Sequence, residues 1–451
     1  MSNSSDNKLV DELESLKISF TKTADKIIKD INRQDKIMAR SDKRQRQEYD
    51  ELQKKLIEVQ SLQEAQKELM DSFIKLIASA IDAKSKYTGG HCSRVPELSL
   101  MIAQAASDST DEAFKEFEIK DDVQLRELSI AAWLHDCGKV TTPEYVVDKA
   151  TKLETIYNRI HEIRTRFEVL YRDLKIEALE KMLAGEDETK VASWLDSEYK
   201  KLQDDFDFLA NANIGGEFMN DADQKRVEDI ANRTWERYFD SSKGLARHER
   251  ERLTDDNSSF PVSEKLLSNK AQHIIPREDF DFEEYEKFGF KTPVPKDLYN
   301  LGEVYNLQIS RGTLTQEERF KIQEHVIMSI KMLEELPFPD QLKNVPLFAG
   351  AHHETLIGTG YPRELKKEDM PLPARIMALA DVFEALTAAD RPYKEAKTLS
   401  ASIKILSFMV KDKHLDEDIF KLFLSSGIYK EYAKLNLSPN QIDDVDISVY
   451  L

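Results

Sequence analysis

The stretch Ala131-Ala132-Trp133-Leu134-His135-Asp136-Cys137-Gly138-Lys139-Val140 decides how this chain is read, because it ends an apolar helical run on two adjacent side chains able to bind a metal. Leu128, Ala131 and Ala132 stand seven, four and three residues before His135, so a helix here turns the imidazole onto its apolar, inward face. Asp136 follows about 100° further round and stays beside the core. A carboxylate taken out of water must be paired or bound to a cation, and the neighbouring imidazole makes a metal the natural partner. Taken alone, the ten residues fit equally well a capped helix end with one satisfied histidine.

The rest of the chain decides between these readings. Upstream, Thr88-Gly89-Gly90-His91-Cys92-Ser93-Arg94-Val95 reads as a turn leading into a helix over 96–106, with His91 near its start. Downstream, Thr315-Gln316-Glu317-Glu318 is a capping box for the helix that carries His325. The apolar run from Leu347 to Glu354 presents His352 and His353 at its end, and Gly358-Thr359-Gly360-Tyr361-Pro362 must be a loop. The helix from Ala374 to Leu386 is apolar almost all round, so Asp381 inside it needs a counter-charge. Each site alone is also what a capping or surface residue looks like. Together, His91, His135, Asp136, His325, His352, His353 and Asp381 supply seven mixed nitrogen and oxygen ligands, which suits two metal ions of coordination number five or six.

From Leu9 to about Ala80 there is neither proline nor glycine. Phe20, Ala24, Ile27, Ile31 and Met38 form one apolar seam, Leu52, Leu56 and Val59 a second, and Leu69, Phe73, Leu76 and Ala80 a third. This pattern predicts a long helix or helical hairpin of coiled-coil character, with a hinge or solvated stretch in the charged run from Ser41 to Asp50. Such seams cannot be buried within their own helix, and a homodimer through residues 1–70 is expected. Between 151 and 310 three charged helices are predicted, Leu153 to Leu183, Glu188 to Ala210 and Asp221 to Phe239, and then a proline-bearing mixed segment. His161, His248 and His273 read there as structural or exposed. Val304 to Leu314 alternates briefly and predicts a small hairpin. The expected architecture is all-α: an N-terminal helical region 1–70, a core in two parts, 71–150 and 311–451, and a helical insertion 151–310.

With 84 acidic against 65 basic residues and a net charge of −19, a surface for duplex nucleic acid is not expected. No apolar run of about 18 residues is present, and the N-terminus lacks a basic-then-apolar signal, so a cytoplasmic protein without a membrane span is expected. Two thiols, Cys92 and Cys137, make no disulfide framework.

The sequence resembles the HD-GYP phosphodiesterases, a branch of the HD superfamily. The resemblance covers about 71–150 and 310–450. It is carried by His91-x-x-Arg94-Val95, His135-Asp136-x-Gly138-Lys139, His325, His352-His353-Glu354, Gly360-Tyr361-Pro362, Ala374-Arg375, Ala380-Asp381 and Asp390-Arg391-Pro392-Tyr393-Lys394, in this order. It implies an all-helical HD core, a centre of two divalent metals of iron or manganese type, and a cyclic dinucleotide substrate, cyclic di-GMP or 3',3'-cyclic GMP-AMP. By the same resemblance Arg391 and Lys394 would hold substrate phosphates, and Tyr361 with Pro362 would shape the pocket. The expected chemistry is metal-assisted phosphodiester hydrolysis, with Asp136 and Lys139 catalytic and Lys139 a point charge for the scissile phosphate. A cyclic-dinucleotide sensor signalling through coiled coil and insertion is the alternative, and an HD hydrolase of other nucleotides a third reading. Three departures stand out: 189 residues separate Asp136 from His325, Ile357 stands before Gly358 where the loop usually has an acid, and Tyr87 stands where some members have a glutamate.

Overall fold

The computed structural model describes residues 3–84, 90–216, 218–254, 259–388 and 396–451. The protein is all-α, and its few strands are short. The chain divides into two compact units, Met1–Phe73 and Ile74–Leu451. Helix α1, Asn3–Lys84, is one continuous helix, so neither a hairpin nor a break at 41–50 is present. Arg44 and Glu48 pair across one turn of that charged run at 2.8 Å. In the first unit the seam residues stand in solvent, Phe20 77 % and Leu69 61 % exposed. No described helix is long and apolar enough to cross a membrane.

In the second unit, α2 (His91–Asp108), α3 (Asp122–Leu134) and a 3₁₀ turn at Cys137–Thr141 form the first part of the core. Gly90, in the left-handed region at φ 87°, starts α2 five residues earlier than expected, at His91, and the helix runs through Pro96. Pro96 forgoes one backbone bond there without breaking the helix. Asp121 caps α3, accepting from the amides of Val123 and Gln124.

Residues between 153 and 307 gather around a cluster of their own. Helices α4 (Ile160–Leu183), α5 (Glu188–Ile214) and α6 (Asp221–Ala231) bury Ile163, Phe167, Leu202, Leu209 and Val227 together. Four expectations are corrected. Helix α4 begins at Ile160 rather than Leu153, its first amide held by the Asn158 side chain at 3.1 Å. Helix α6 stops at Ala231, because Thr234-Trp235-Glu236-Arg237 forms strand β1 (Thr234–Arg237) against β2 (Val262–Lys265). A second antiparallel pair joins β3 (Ile274–Pro276) to β4 (Asp297–Asn300), so the insertion is not wholly helical. The hairpin expected at 304–314 is a short helix, Glu303–Leu307, followed by a turn; Asn306 fixes it by donating to the carbonyls of Asn300 and Gly302.

Helix α7 (Gln316–Glu334) opens with the expected capping box. Glu318 also accepts Lys149 at 2.8 Å with both side chains buried, tying the end of the first core part to the start of the second. Removing one partner of such a pair costs about 3–5 kcal/mol. The core closes with α8 (Val345–Gly350), α9 (Leu372–Thr387), α10 (Leu399–Lys411), α11 (Glu417–Ser425) and α12 (Ile428–Asn436). Helix α9 buries residues on every side, including Ile376, Leu379, Ala380, Asp381 and Phe383, as its apolar composition predicts.

Candidate metal centre

His135 is the first residue past α3, and Asp136 leads into the 3₁₀ turn. That turn lies so close to α7 that a Cβ on Gly138 would fall 1.9 Å from the His325 carbonyl oxygen. The Gly138 amide donates to Ser329 Oγ at 2.8 Å. Only a glycine permits this approach, and it carries Asp136 Oδ1 to 3.2 Å from His325 Nε2. His91 from α2, Asp381 from α9, and His352 and His353 just beyond α8 complete the cluster. All seven side chains predicted from the sequence therefore meet in one place.

Their hydrogen bonds fix the rings. Nδ1 of His135 donates to the Ala132 carbonyl at 2.7 Å, that of His325 to Ile322 at 2.5 Å, and that of His352 to Ala349 at 2.6 Å. A carbonyl only accepts, so Nδ1 holds the proton and Nε2 keeps its lone pair in the neutral ring. His91 Nδ1 instead meets the Glu384 carboxylate. The Nε2 atoms of His91, His135, His325 and His352 are all buried with no hydrogen-bond partner. They lie among carboxylate oxygens: His91 Nε2 is 3.2 Å from Asp136 Oδ2 and 3.3 Å from Asp381 Oδ1, and His135 Nε2 is 3.1 Å and 3.7 Å from the same two atoms. His325, His352 and His353 form one group of donor atoms within 4.8 Å, His91, His135 and Asp381 a second, and His135, Asp136 and His352 a third. Four orphaned lone pairs converging on two carboxylates are costly without a cation and fit a mixed N/O divalent site.

Burial disfavours charge at His91 and His135, but the facing carboxylates outweigh it, so each of these rings holds a second proton that must leave before its Nε2 can ligate. Burial pushes His352 down to about 3 and holds His353 well below the ordinary range, so both are neutral rings ready to ligate. Burial works against charge at Asp136 and Asp381 too, but the imidazoles, joined at Asp136 by Lys139, hold both carboxyls well below their usual range. At His135 the effect of burial is outweighed by Asp136 and Asp381, and the ring is raised to about 9.

The HD domain family model matches residues 251–419, which takes in His325, His352, His353 and Asp381. The geometry joins His91, His135 and Asp136 to that half. Over 180 residues, 40 % of this chain and 40 % of the relative, the chain is 33 % identical to a 3'3'-cGAMP-specific phosphodiesterase of Vibrio cholerae. It is 36 % identical over 115 residues to the cyclic di-GMP phosphodiesterase response regulator RpfG of Xanthomonas campestris, covering 24 % of this chain and 29 % of that one. A cyclic di-GMP phosphodiesterase of Thermotoga maritima is 32 % identical over 115 residues, 26 % and 30 % of the two chains. The chain thus spans two fifths or less of the length of these relatives. Over residues 251–419 it is similar to the HD domain.

Around this centre stand two carboxylates, Glu384 and Glu354, whose roles were not legible in the sequence, and the loop and lysine that were expected there. Glu384, 1 % exposed, holds His91 Nδ1 with one oxygen and Arg94 at 2.6 Å with the other. Its spacing of three from Asp381 in an apolar helix was the available signal. Glu354 accepts from the amides of Arg363 at 2.7 Å and Leu365 at 3.0 Å, and Thr355 Oγ1 from Thr359 at 2.9 Å. These bonds hold the Gly360-Tyr361-Pro362 loop although Ile357 replaces the usual acid. Gly360 is needed there, since a Cβ would lie 2.4 Å from Glu354 Cα. Tyr361 stacks on the His353 ring at 4.9 Å, and Pro362 is buried. Lys139 Nζ sits 2.5 Å from Asp136 Oδ2 with its side chain 27 % exposed, bound to a candidate ligand and open to solvent on the other side. His161 and His248 are exposed, and His273 accepts from the Lys270 amide, so none joins the cluster. Arg391, Lys394 and Tyr87 lie outside the described residues.

Proposed function

We propose that this chain is a metal-dependent phosphodiesterase that opens a cyclic dinucleotide, cyclic di-GMP or 3',3'-cyclic GMP-AMP, to the linear dinucleotide. The observation that carries the reading is the convergence of four buried, unpartnered imidazole nitrogens on two carboxylates. The names of the relatives support the substrate class. In this reading His91, His135, Asp136, His325, His352, His353 and Asp381 hold two divalent ions of iron or manganese type, with 71–150 and 311–451 the halves of the core and 151–310 inserted. Such ions lower the pKa of water and neutralise charge on phosphoryl oxygens.

The chain's own residues bind and orient. Asp136 presents Oδ1 toward His325 and Oδ2 toward His91 and His135, so one carboxylate can serve both groups of ligands. Lys139, beside Asp136 and partly open to solvent, offers a positive charge to a phosphate entering the site. Tyr361, stacked on His353, supplies an aromatic surface at the rim, with Pro362 fixing the loop behind it. Arg391 and Lys394 are assigned to substrate phosphates by resemblance. The exposed seam of α1 is assigned to pairing with a second copy, and the cytoplasm to its location.

The test is incubation of metal-loaded protein with each cyclic dinucleotide, with the products resolved by chromatography. Linear dinucleotide formed by the parent and not by His135→Ala/Asp136→Ala supports the reading. Tight binding of a cyclic dinucleotide without turnover would replace it by a sensor.

A further inference from the structure

The stretch Asp279-Phe280-Asp281-Phe282-Glu283-Glu284-Tyr285-Glu286-Lys287-Phe288-Gly289-Phe290-Lys291 places five aromatic rings in a strongly charged segment of the insertion. Asp281 caps the short helix Phe282–Lys287 through the Glu284 amide at 2.8 Å. Gly289, left-handed at φ 74°, ends it and turns Phe290 back so that its amide reaches the Tyr285 carbonyl at 3.3 Å. Tyr285 and Phe290 then bury against Phe320, Val326, Ile327 and Ile330 of α7, the helix that carries His325. Phe280, Phe288, Val294 and Tyr361 pack on the same cluster. This arm therefore belongs to the core of the catalytic half and not to that of α4–α6.

Beside an ion pair from Glu284 to Lys331 of α7, the arm also reaches the loop next to the metal centre. The Lys291 amide donates to the Pro362 carbonyl at 2.7 Å. Arg363 Nε donates to the Phe288 carbonyl at 3.0 Å, its guanidinium lies 5.6 Å from the Phe290 ring centroid, and Nη2 pairs with Glu334 at 2.6 Å. Tyr361 is thus held on one side by the His353 ring and on the other by an aromatic cluster built largely from the insertion.

We propose that residues 280–294 are the positioning element of the Tyr361–Arg363 loop, so that the insertion sets the shape of the substrate entrance. The proposal rests on the phosphodiesterase reading for its substrate, but the clamp itself can be measured without it. Phe290→Leu removes the ring under Arg363, and Arg363→Lys removes the bond to Phe288 while keeping the charge toward Glu334. Four quantities are read on full-length protein: metal content, amide hydrogen exchange over 359–365, steady-state kinetics on a cyclic dinucleotide, and hydrolysis of bis(p-nitrophenyl) phosphate, which is too small to need the loop.

Both variants should keep the parent's metal content and bis(p-nitrophenyl) phosphate rate. Exchange over 359–365 should rise about tenfold, and KM for the cyclic dinucleotide should rise about tenfold with kcat within about twofold. Parental exchange over 359–365, or faster exchange with unchanged KM, overturns the proposal. Loss of metal together with kcat also overturns it, since the arm would then support the core in general. If Phe290→Leu does not fold, Arg363→Lys carries the same readouts. If the parent turns over no cyclic dinucleotide, the functional reading fails, and exchange with metal content still decides the clamp.

Discussion

Among the four imidazoles with a buried, unpartnered Nε2, His91 alone sets its Nδ1 against a carboxylate, while the other three use backbone carbonyls. A carboxylate raises the basicity of the opposite nitrogen and locks the ring, and Arg94 in turn fixes Glu384. Glu384→Ala should therefore weaken metal binding about 10- to 100-fold. Competition against a fluorescent chelator checks this, with helical content by circular dichroism as the control. Glu384→Asp should recover part of the affinity; equal affinity in Glu384→Ala and the parent would reduce Glu384 to packing. At this scale the sequence was legible wherever a residue conflicted with its own neighbourhood. His135 faces inward after an apolar run, and Asp381 is an acid in an apolar helix. Glu384 escaped because its partner lies 293 residues away and no local pattern announces that pairing. Glu354 escaped for a related reason: its bonds go to main-chain amides, which carry no side-chain signature.

At the scale of elements, Asp416 shows how the end of the chain is tied to the metal-bearing half. It caps α11 through the Asp418 amide at 2.9 Å, and it pairs with Arg375 on α9 and with Lys367 at 3.1 Å. Burial alone would raise its pKa, but the charges of Arg375 and Lys367 outweigh it and hold the carboxyl below the usual range. A depressed folded pKa means stability present above the unfolded value near 3.9 and lost as pH falls through the lower folded value. Asp416→Asn should cost about 2 kcal/mol at neutral pH, and urea titrations should show the difference shrinking below about pH 4. A difference independent of pH would assign the cost to the cap rather than to the ion pairs. The long helices were legible because their periodicity is local. Strand β1 was not, since its pairing with β2 across the 24 residues between Arg237 and Val262, and not its own four residues, makes it a strand. The same holds for the helix at Glu303–Leu307, where Asn306 anchors to Asn300 and Gly302 in place of a hairpin ladder.

For the whole molecule, the large apolar side chains along the seam of Met1–Phe73, such as Phe20, Ile27, Ile31 and Leu52, stand in solvent. Apolar side chains at three- and four-residue spacing gain burial from a partner helix. Removing residues 1–65 should shift a dimer to monomer in light scattering, with the metal content per chain unchanged; a dimer that persists would place the interface in the second unit. The charged helices between 151 and 310 were legible in the sequence, but the separation of a helical module from an arm that shares the core of α7 was not. That division depends on which cluster Tyr285 and Phe290 join, and tertiary packing alone determines it.

His91, His135 and Asp136 from one part of the chain and His325, His352, His353 and Asp381 from another are expected to hold one divalent metal centre. Metal analysis of anaerobically purified, full-length protein beside folded His135→Ala/Asp136→Ala tests it most directly. About two equivalents of iron or manganese per parent chain are expected from the ligand count, with the loss of most of that metal in the variant at unchanged helical content. Trace metal in the parent after loading, or equal metal in parent and variant, would contradict it.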